Sequence, residues 1–155
     1  VGYDENGQEL FRSISLWVLM DPQSRAMVLP GKSGITVPGV LRGNELPSPQ
    51  SLAPASLADS VNRTVRFTDL DVNGHMNNAR YLDWLADLLP GSFHENHVIQ
   101  DMTLGYLAEA LEADVLIQQW QLDENAHLRL EIVRPGGEKN HRIFSADVLY
   151  GNDIL

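Results

Sequence analysis

Apolar and polar positions alternate with a strand-like period over several stretches of this chain and take up a helical period over one. From Leu10 to Met20, Ile14, Leu16, Val18 and Met20 fall on one face and Phe11, Ser13, Ser15, Trp17 and Leu19 on the other, which predicts a strand covered on both faces. Val61, Val65 and Phe67 make a short β-favouring run, and a loop is expected from near Thr68, where Asp69, Asp71, Asn73 and Gly74 follow as turn formers. From Asn78 onward Tyr81, Leu82, Leu85, Ala86 and Leu89 recur at three- and four-residue steps, the pattern of an amphipathic helix with one buried face. Asn77 or Asn78 is its expected N-cap and Pro90 its end. Strand alternation returns over Val98 to Ala108, Ala113 to Leu122, Leu128 to Val133 and Arg142 to Tyr150, with Pro135-Gly136-Gly137 as a turn. One long helix followed by four antiparallel strands and preceded by one more is an α+β layout in which the sheet can wrap the helix.

Punctuation completes this outline. Asp4-Glu5-Asn6-Gly7 reads as a hairpin turn and Asp21-Pro22-Gln23-Ser24 as a second turn. Between Leu29 and Ser60 the composition shifts to Pro, Gly and Ser, with Pro30, Pro38, Pro47, Pro49 and Pro54 spaced through it, and no repeated Pro-x-x-Pro pattern. That stretch is expected to be interdomain chain.

A chain of 155 residues that is 43% hydrophobic can bury one sizeable core. No apolar run approaches the roughly 20 residues that span a bilayer. The net charge of −10 argues against a nucleic-acid partner, which needs a basic patch. No basic, hydrophobic signal segment stands at Val1 and there is no cysteine for a disulfide framework, so the cytoplasm is the expected compartment.

Candidate chemistry concentrates between the predicted strand and helix. A helix N-terminus facing Asp71, Asn73 and His75 offers backbone N–H groups and the positive end of a dipole to an anionic or carbonyl-oxygen ligand, an arrangement that could stabilise an oxyanion. Arg63, Arg66 and Arg80 stand near enough in sequence to form a local basic patch. His94 and His97 have the three-residue spacing of helical metal ligands, but Pro90-Gly91 and Asn96 suggest a loop and no third ligand is evident, so no metal is expected. His127 and His141 fall on strands and are expected to be exposed.

The full string Asp-Leu-Asp-Val-Asn-Gly-His-Met-Asn-Asn-Ala-Arg-Tyr-Leu-Asp-Trp, residues 69–84, resembles the signature of acyl-acyl-carrier-protein thioesterases of the plant and bacterial fatty-acid type, double hot-dog enzymes that hydrolyse the thioester ending fatty-acid synthesis. Hot-dog acyl-CoA thioesterases share a looser version. Two further stretches favour the carrier-protein branch: residues 101–110 resemble the segment carrying that family's second acidic catalytic residue, and residues 12–21 its strand closing the first hot-dog domain. The resemblance implies three parts. Residues 1–30 would be closing strands of a first, incomplete hot-dog, residues 31–59 a linker, and residues 60–151 a second hot-dog domain bearing the catalytic motif.

By the same resemblance Asp71, Asn73 and His75 match the family's Asp-x-Asn-x-His residues and Glu109 its second acidic one, while Met76, Asn77, Asn78, Tyr81 and Trp84 are expected to meet the substrate. Trp84 is also expected in the core. Glu109 would be the better general base in a partly buried place, since burial raises a carboxyl's pKa; His75 could share that role or hold the attacking water. Asn73 would orient the water or polarise the carbonyl, and Asp71 would tune both neighbours or attack directly. Many family members carry cysteine after the acidic residue; Ala110 stands there here, which removes a Cys-His nucleophile. No cofactor is implied. The implied partners are an acyl carrier protein bearing a fatty-acyl thioester and a second hot-dog unit, either a second copy of this chain or the missing first domain. The alternatives are an acyl-CoA thioesterase and a non-catalytic acyl-binding hot-dog domain.

Overall fold

The computed structural model describes residues 1–21, 23, 24, 26–34, 47–136 and 140–152. The chain divides into two units, Val1–Gln50 and Ser51–Leu155.

The first unit consists of local hairpins. β1 (Gly2–Tyr3) pairs antiparallel with β2 (Glu9–Phe11) across the predicted Asp4–Gly7 turn, where the Gly7 N–H donates to the Asp4 carbonyl at 3.1 Å and Gly7 takes a φ of 82° that glycine adopts without strain. β3 (Leu19–Met20) pairs with β4 (Met27–Val28), and a single helical turn, α1 (Pro30–Ser33), follows. The single strand expected over Leu10 to Met20 is therefore two short strands with irregular chain between them. Its large apolar residues are not covered within the unit: Leu16 is 78% and Trp17 81% exposed. Residues 35–46, the middle of the expected linker, lie outside the described residues.

The second unit is a five-stranded antiparallel sheet with a helix on one face. β5 (Asp59–Thr64) leads to α2 (Asn78–Ala86) and then α3 (Gly91–His94), after which β6 (Val98–Tyr106), β7 (Val115–Leu122), β8 (His127–Arg134) and β9 (His141–Gly151) complete the sheet in the order β5-β7-β8-β9-β6. The four strands after the helix lie where alternation places them. Asn77 is the N-cap of α2, its side chain accepting the Ala79 N–H at 2.9 Å.

The helix is shorter than its periodicity suggests. Residues 87–89 tighten into a turn in which the N–H groups of Leu88 and Leu89 reach back three residues, and Pro90 caps α3 where a loop was expected. Leu89 remains buried, so the apolar period outlasts the regular helix.

The core lies between α2 and the sheet. Tyr81, Trp84 and Leu85 pack with Leu116, Leu128, Leu130, Ile132, Phe144, Ala146 and Val148, each large side chain contributing about 1.5–3 kcal/mol by leaving water. Tyr81 stacks on Phe144, with ring centroids 4.9 Å apart. The buried Gln118 amide donates to the Trp84 carbonyl at 2.9 Å, tying β7 to α2. On the opposite face, the segment before β5 is held to β8: the Ala55 N–H donates to Glu131 at 3.1 Å and Arg129 donates to the Ala53 carbonyl at 2.9 Å. This sheet with its helix is the hot-dog fold expected from the motif.

Candidate active site

The motif forms a closed loop between β5 and α2. Leu70 and Met76 pair as an antiparallel bridge, the Asp71 N–H donates to the His75 carbonyl at 2.8 Å, and the Gly74 N–H to the Asp71 carbonyl at 3.1 Å. Gly74 takes a φ of 75°, in the left-handed region where a Cβ is costly.

The Asp71 carboxylate sits inside this loop. It accepts the backbone N–H groups of Asn73 at 2.8 Å and His75 at 3.3 Å, and the Asn73 side-chain amide approaches at 3.4 Å. The Asn73 N–H is the largest influence on its carboxyl; although partial burial opposes it, the His75 and remaining Asn73 bonds add to it, and Asp71 is held below the usual carboxylate range. Asp71 is thus an ionised organiser of the loop, its oxygens already engaged.

A second segment meets the loop. The Met76 N–H donates to the Ala110 carbonyl at 2.8 Å and His75 bridges to Leu111, so the residues after β6 lie alongside the motif. His75 Nε2 stands 3.4 Å from Glu109 Oε2. Two side chains far apart in sequence are thereby brought side by side, within ion-pair distance should the imidazole be protonated. The Glu109 side chain is 49% exposed, so the burial invoked to raise its carboxyl is not supplied by this unit. Asn73 is exposed, its amide nearest Asp71.

The residues expected to meet substrate divide into two sets. Asn77 and Asn78 are exposed at the start of α2, where the Asn78 carbonyl accepts the Tyr106 hydroxyl at 3.2 Å. Met76, Tyr81 and Trp84 are buried behind them. Burial pushes the Tyr81 phenol up to about 12. The N–H groups of Asn77, Ala79 and Arg80 are committed to Asp69 and Asn77, so the start of the helix spends these donors on its own cap.

Two of the three arginines expected to form a basic patch are paired with carboxylates. Arg63 pairs with Asp87 at 2.9 Å and lies 5.4 Å from the Trp84 ring centroid, and Arg80 pairs with Asp83 at 2.7 Å, which leaves Arg66 alone of the three without a carboxylate among the described ion pairs. His94 and His97 contact the carbonyls of Ala86 and Phe93 through their ring nitrogens, at 3.0 and 2.9 Å. Among the described residues no group of three His, Cys, Asp or Glu is placed to hold a metal ion. His127 is half-buried rather than exposed, because its Nε2 lies 2.6 Å from Asp147 on the neighbouring strand; His141 is exposed as expected. An open depression of about 390 Å³ beside His127, lined by Asp101, Asp123, Asn125, Asp147 and Leu149, shares no residue with the motif.

Sequence reasoning missed Arg134 and Asp114, which pair at 2.6 Å while the same Arg134 nitrogen donates to the Glu109 carbonyl at 2.8 Å. Nothing in their spacing announces the contact; it follows from β8 ending opposite the turn after β6.

Residues 55–146 match the acyl-ACP thioesterase C-terminal domain. The dodecanoyl-[acyl-carrier-protein] hydrolase of Cinnamomum camphora is 33% identical over 128 residues, covering 72% of this chain and 31% of its own length. The palmitoyl-acyl carrier protein thioesterase of Gossypium hirsutum is 30% identical over 124 residues, covering 75% of this chain and 30% of its own. Both are described as chloroplastic, and the chain spans about a third of their length. Among solved structures, the 12:0-ACP thioesterase of Umbellularia californica superposes with a TM-score of 0.64 at 23% identity, covering 86% of this chain and 53% of that one. An acyl-ACP thioesterase from Bacteroides thetaiotaomicron gives 0.60 at 23%, covering 85% of this chain and 53% of that one.

Proposed function

The chain belongs to the acyl-ACP thioesterase family, and from that premise we propose that it is the catalytic portion of a hydrolase releasing free fatty acid from acyl-acyl-carrier protein. The observation carrying this reading is the approach of His75 to Glu109 beside an ordered Asp71 loop. Thioester hydrolysis needs a base for the attacking water, polarisation of the carbonyl, and a proton for the departing thiolate.

In this reading Glu109 and His75 act as one proton-handling pair. One of them takes the proton of the attacking water, the carbonyl carbon passes through a tetrahedral oxyanion, and the pair returns the proton to the thiolate sulfur as the C–S bond breaks. Asn73, exposed at the loop tip, orients the water or the carbonyl. Asp71 keeps both neighbours in place, a role its engaged oxygens favour over direct attack. Asn77 and Asn78 stand where an incoming thioester meets the helix, and Met76, Tyr81 and Trp84 back the site from the core.

The first 30 residues belong, in this proposal, to the closing strands of a first hot-dog joined by the linker over 31–59, with a second hot-dog unit as the structural partner. The working compartment is one in which acyl chains are built on a carrier protein. The expected cytoplasm meets that condition, as does the chloroplast named for the plant relatives. No described helix is long and apolar enough to cross a membrane.

Fatty acid released from matched acyl-carrier-protein and acyl-CoA substrates, with Glu109→Ala as control, tests the reading. Turnover of the carrier-protein substrate that vanishes in the control is the expected result. Turnover of CoA substrate alone would assign the chain to acyl-CoA hydrolysis. Binding without product, also when a first hot-dog unit is supplied, would leave a non-catalytic acyl-binding domain.

A further inference from the structure

Glu109 lies in the turn between β6 and β7, which neighbouring elements hold from two sides. On one side the motif holds the turn: Ala110 accepts the Met76 N–H at 2.8 Å, and His75 bridges to Leu111. On the other side stands Arg134, the last residue of β8. Its Nη2 donates both to the Glu109 carbonyl at 2.8 Å and to Asp114 Oδ2 at 2.6 Å.

Asp114 passes this grip along the turn. The same Oδ2 accepts the Leu111 N–H at 2.9 Å, and the Asp114 N–H donates to the Leu111 carbonyl at 3.1 Å. The Asp114 carbonyl accepts the Val65 N–H at 2.9 Å, and the Ala113 N–H donates to the Val65 carbonyl at 3.0 Å, which fastens the turn to the chain leaving β5. Ala113 takes a φ of 67°, a left-handed conformation that a non-glycine residue keeps only where its surroundings impose it. The turn is thus over-determined, and one guanidinium reaches both its beginning, at Glu109, and its end, at Asp114.

Resting on the hydrolase reading above, we propose that Arg134 is the positioning residue of the site: it fixes the Glu109 backbone from the sheet side so that the carboxylate meets His75. The Met76 and Arg134 bonds hold the carbonyls of consecutive residues, Ala110 and Glu109, from the motif and from the sheet. With both in place the direction in which the Glu109 side chain leaves the backbone is set. With Arg134 removed the Glu109 carbonyl loses its sheet-side donor while the Met76 bond to Ala110 and the Val65 bonds at Ala113 and Asp114 stay, so the turn persists but the carboxylate shifts relative to the imidazole.

The test has two readouts, one independent of activity. In the full chain, Arg134→Met lowers kcat for acyl-carrier-protein hydrolysis about 10- to 100-fold with KM nearly unchanged, the size expected for misplacing a catalytic group by about 1 Å. Adding Glu109→Gln to Arg134→Met causes little further loss, because both act through one contact. The ring ¹⁵N resonances of His75 report that contact directly. Arg134→Met moves them toward the Glu109→Gln positions, while Asp114→Asn, which spares the Arg134 bond to the Glu109 carbonyl, moves them less. If Arg134→Met does not fold, Arg134→Lys is read by the same criterion. His75 resonances that ignore Arg134 but respond to Glu109 overturn the proposal, as do resonances that ignore both, and as does an Asp114→Asn effect equal to that of Arg134→Met, the mark of a merely structural staple. An unsubstituted chain inactive on every thioester counts against the hydrolase reading alone, and the His75 resonances still decide the role of Arg134.

Discussion

The turns of the first unit and the motif loop of the second are made by the same device. Asp4 accepts the N–H groups of Asn6 and Gln8, Asp21 those of Gln23 and Ser24, and Asp71 those of Asn73 and His75. An aspartate closing the backbone just ahead of it needs no tertiary structure, and all three are correspondingly plain in the sequence. The regions differ in what lies beneath. Around the hairpins of the first unit Phe11, Leu16, Trp17 and Met27 are exposed, whereas the motif loop is roofed onto Val65, Met76 and Ala110 and so onto the core. Local turn chemistry shapes a loop; the sheet and helix underneath make it a place where two distant side chains can be held together.

The sharpest contrast should come from apolar truncations. Phe144→Ala removes the partner of the Tyr81 ring from a close-packed core and should cost about 3–5 kcal/mol in denaturant unfolding, whereas Phe11→Ala should stay within about 0.5 kcal/mol. Equal effects would dissolve the distinction between the units. Next in size, under the proposed hydrolase reading His75→Ala should reduce fatty acid release about 100-fold while leaving the melting temperature near that of the unsubstituted chain, since the side chain is not part of the buried core. A large fall in melting temperature would make His75 a structural residue. Asn77→Ala should cost about 1 kcal/mol by exposing the first turn of α2.

Acid provides the smallest effect and the finest comparison. Asp71 and Asp21 are both held below the usual carboxylate range, chiefly by the N–H of Asn73 in one case and of Ser24 in the other. A depressed carboxyl contributes stability that is complete above its unfolded value of about 3.9 and is lost as pH falls through the folded value. Protection of the Asn73 and Ser24 amides, taken relative to their intrinsic exchange at each pH, should therefore fall only below about pH 4. Loosening of either turn at higher pH would mean that its carboxylate is not what holds it.

What the sequence reveals follows the range of the interaction. Period-2 alternation locates β7 and β8, where Leu116, Leu128, Leu130 and Ile132 turn to the core, and it locates β6 as well although that strand stays largely exposed; Asn77 is legible because a cap is a local event. Pro90 misleads because proline both ends one helix and suits the start of another, and here α3 begins immediately after it. The run from Leu10 to Met20 alternates like a strand yet pairs only at its ends, since alternation records a preference and pairing needs a neighbour. The Asp71, His75 and Glu109 set is visible through motif resemblance, but the depth at which Glu109 lies is not. Arg63 with Asp87, His127 with Asp147 and Arg134 with Asp114 depend on strand order and register, which no spacing encodes.

Ala110 carries one further implication, for chemical stress. It is fully buried beside Glu109, and the chain has no cysteine at all. Alkylating agents, heavy-metal ions and mild peroxide therefore find no thiol to attack, and even the nearest oxidisable sulfur in the motif, that of Met76, is only 4% exposed. Oxidants and thiol reagents should therefore leave the geometry of the motif loop unchanged, which loop amide resonances recorded with and without peroxide would show.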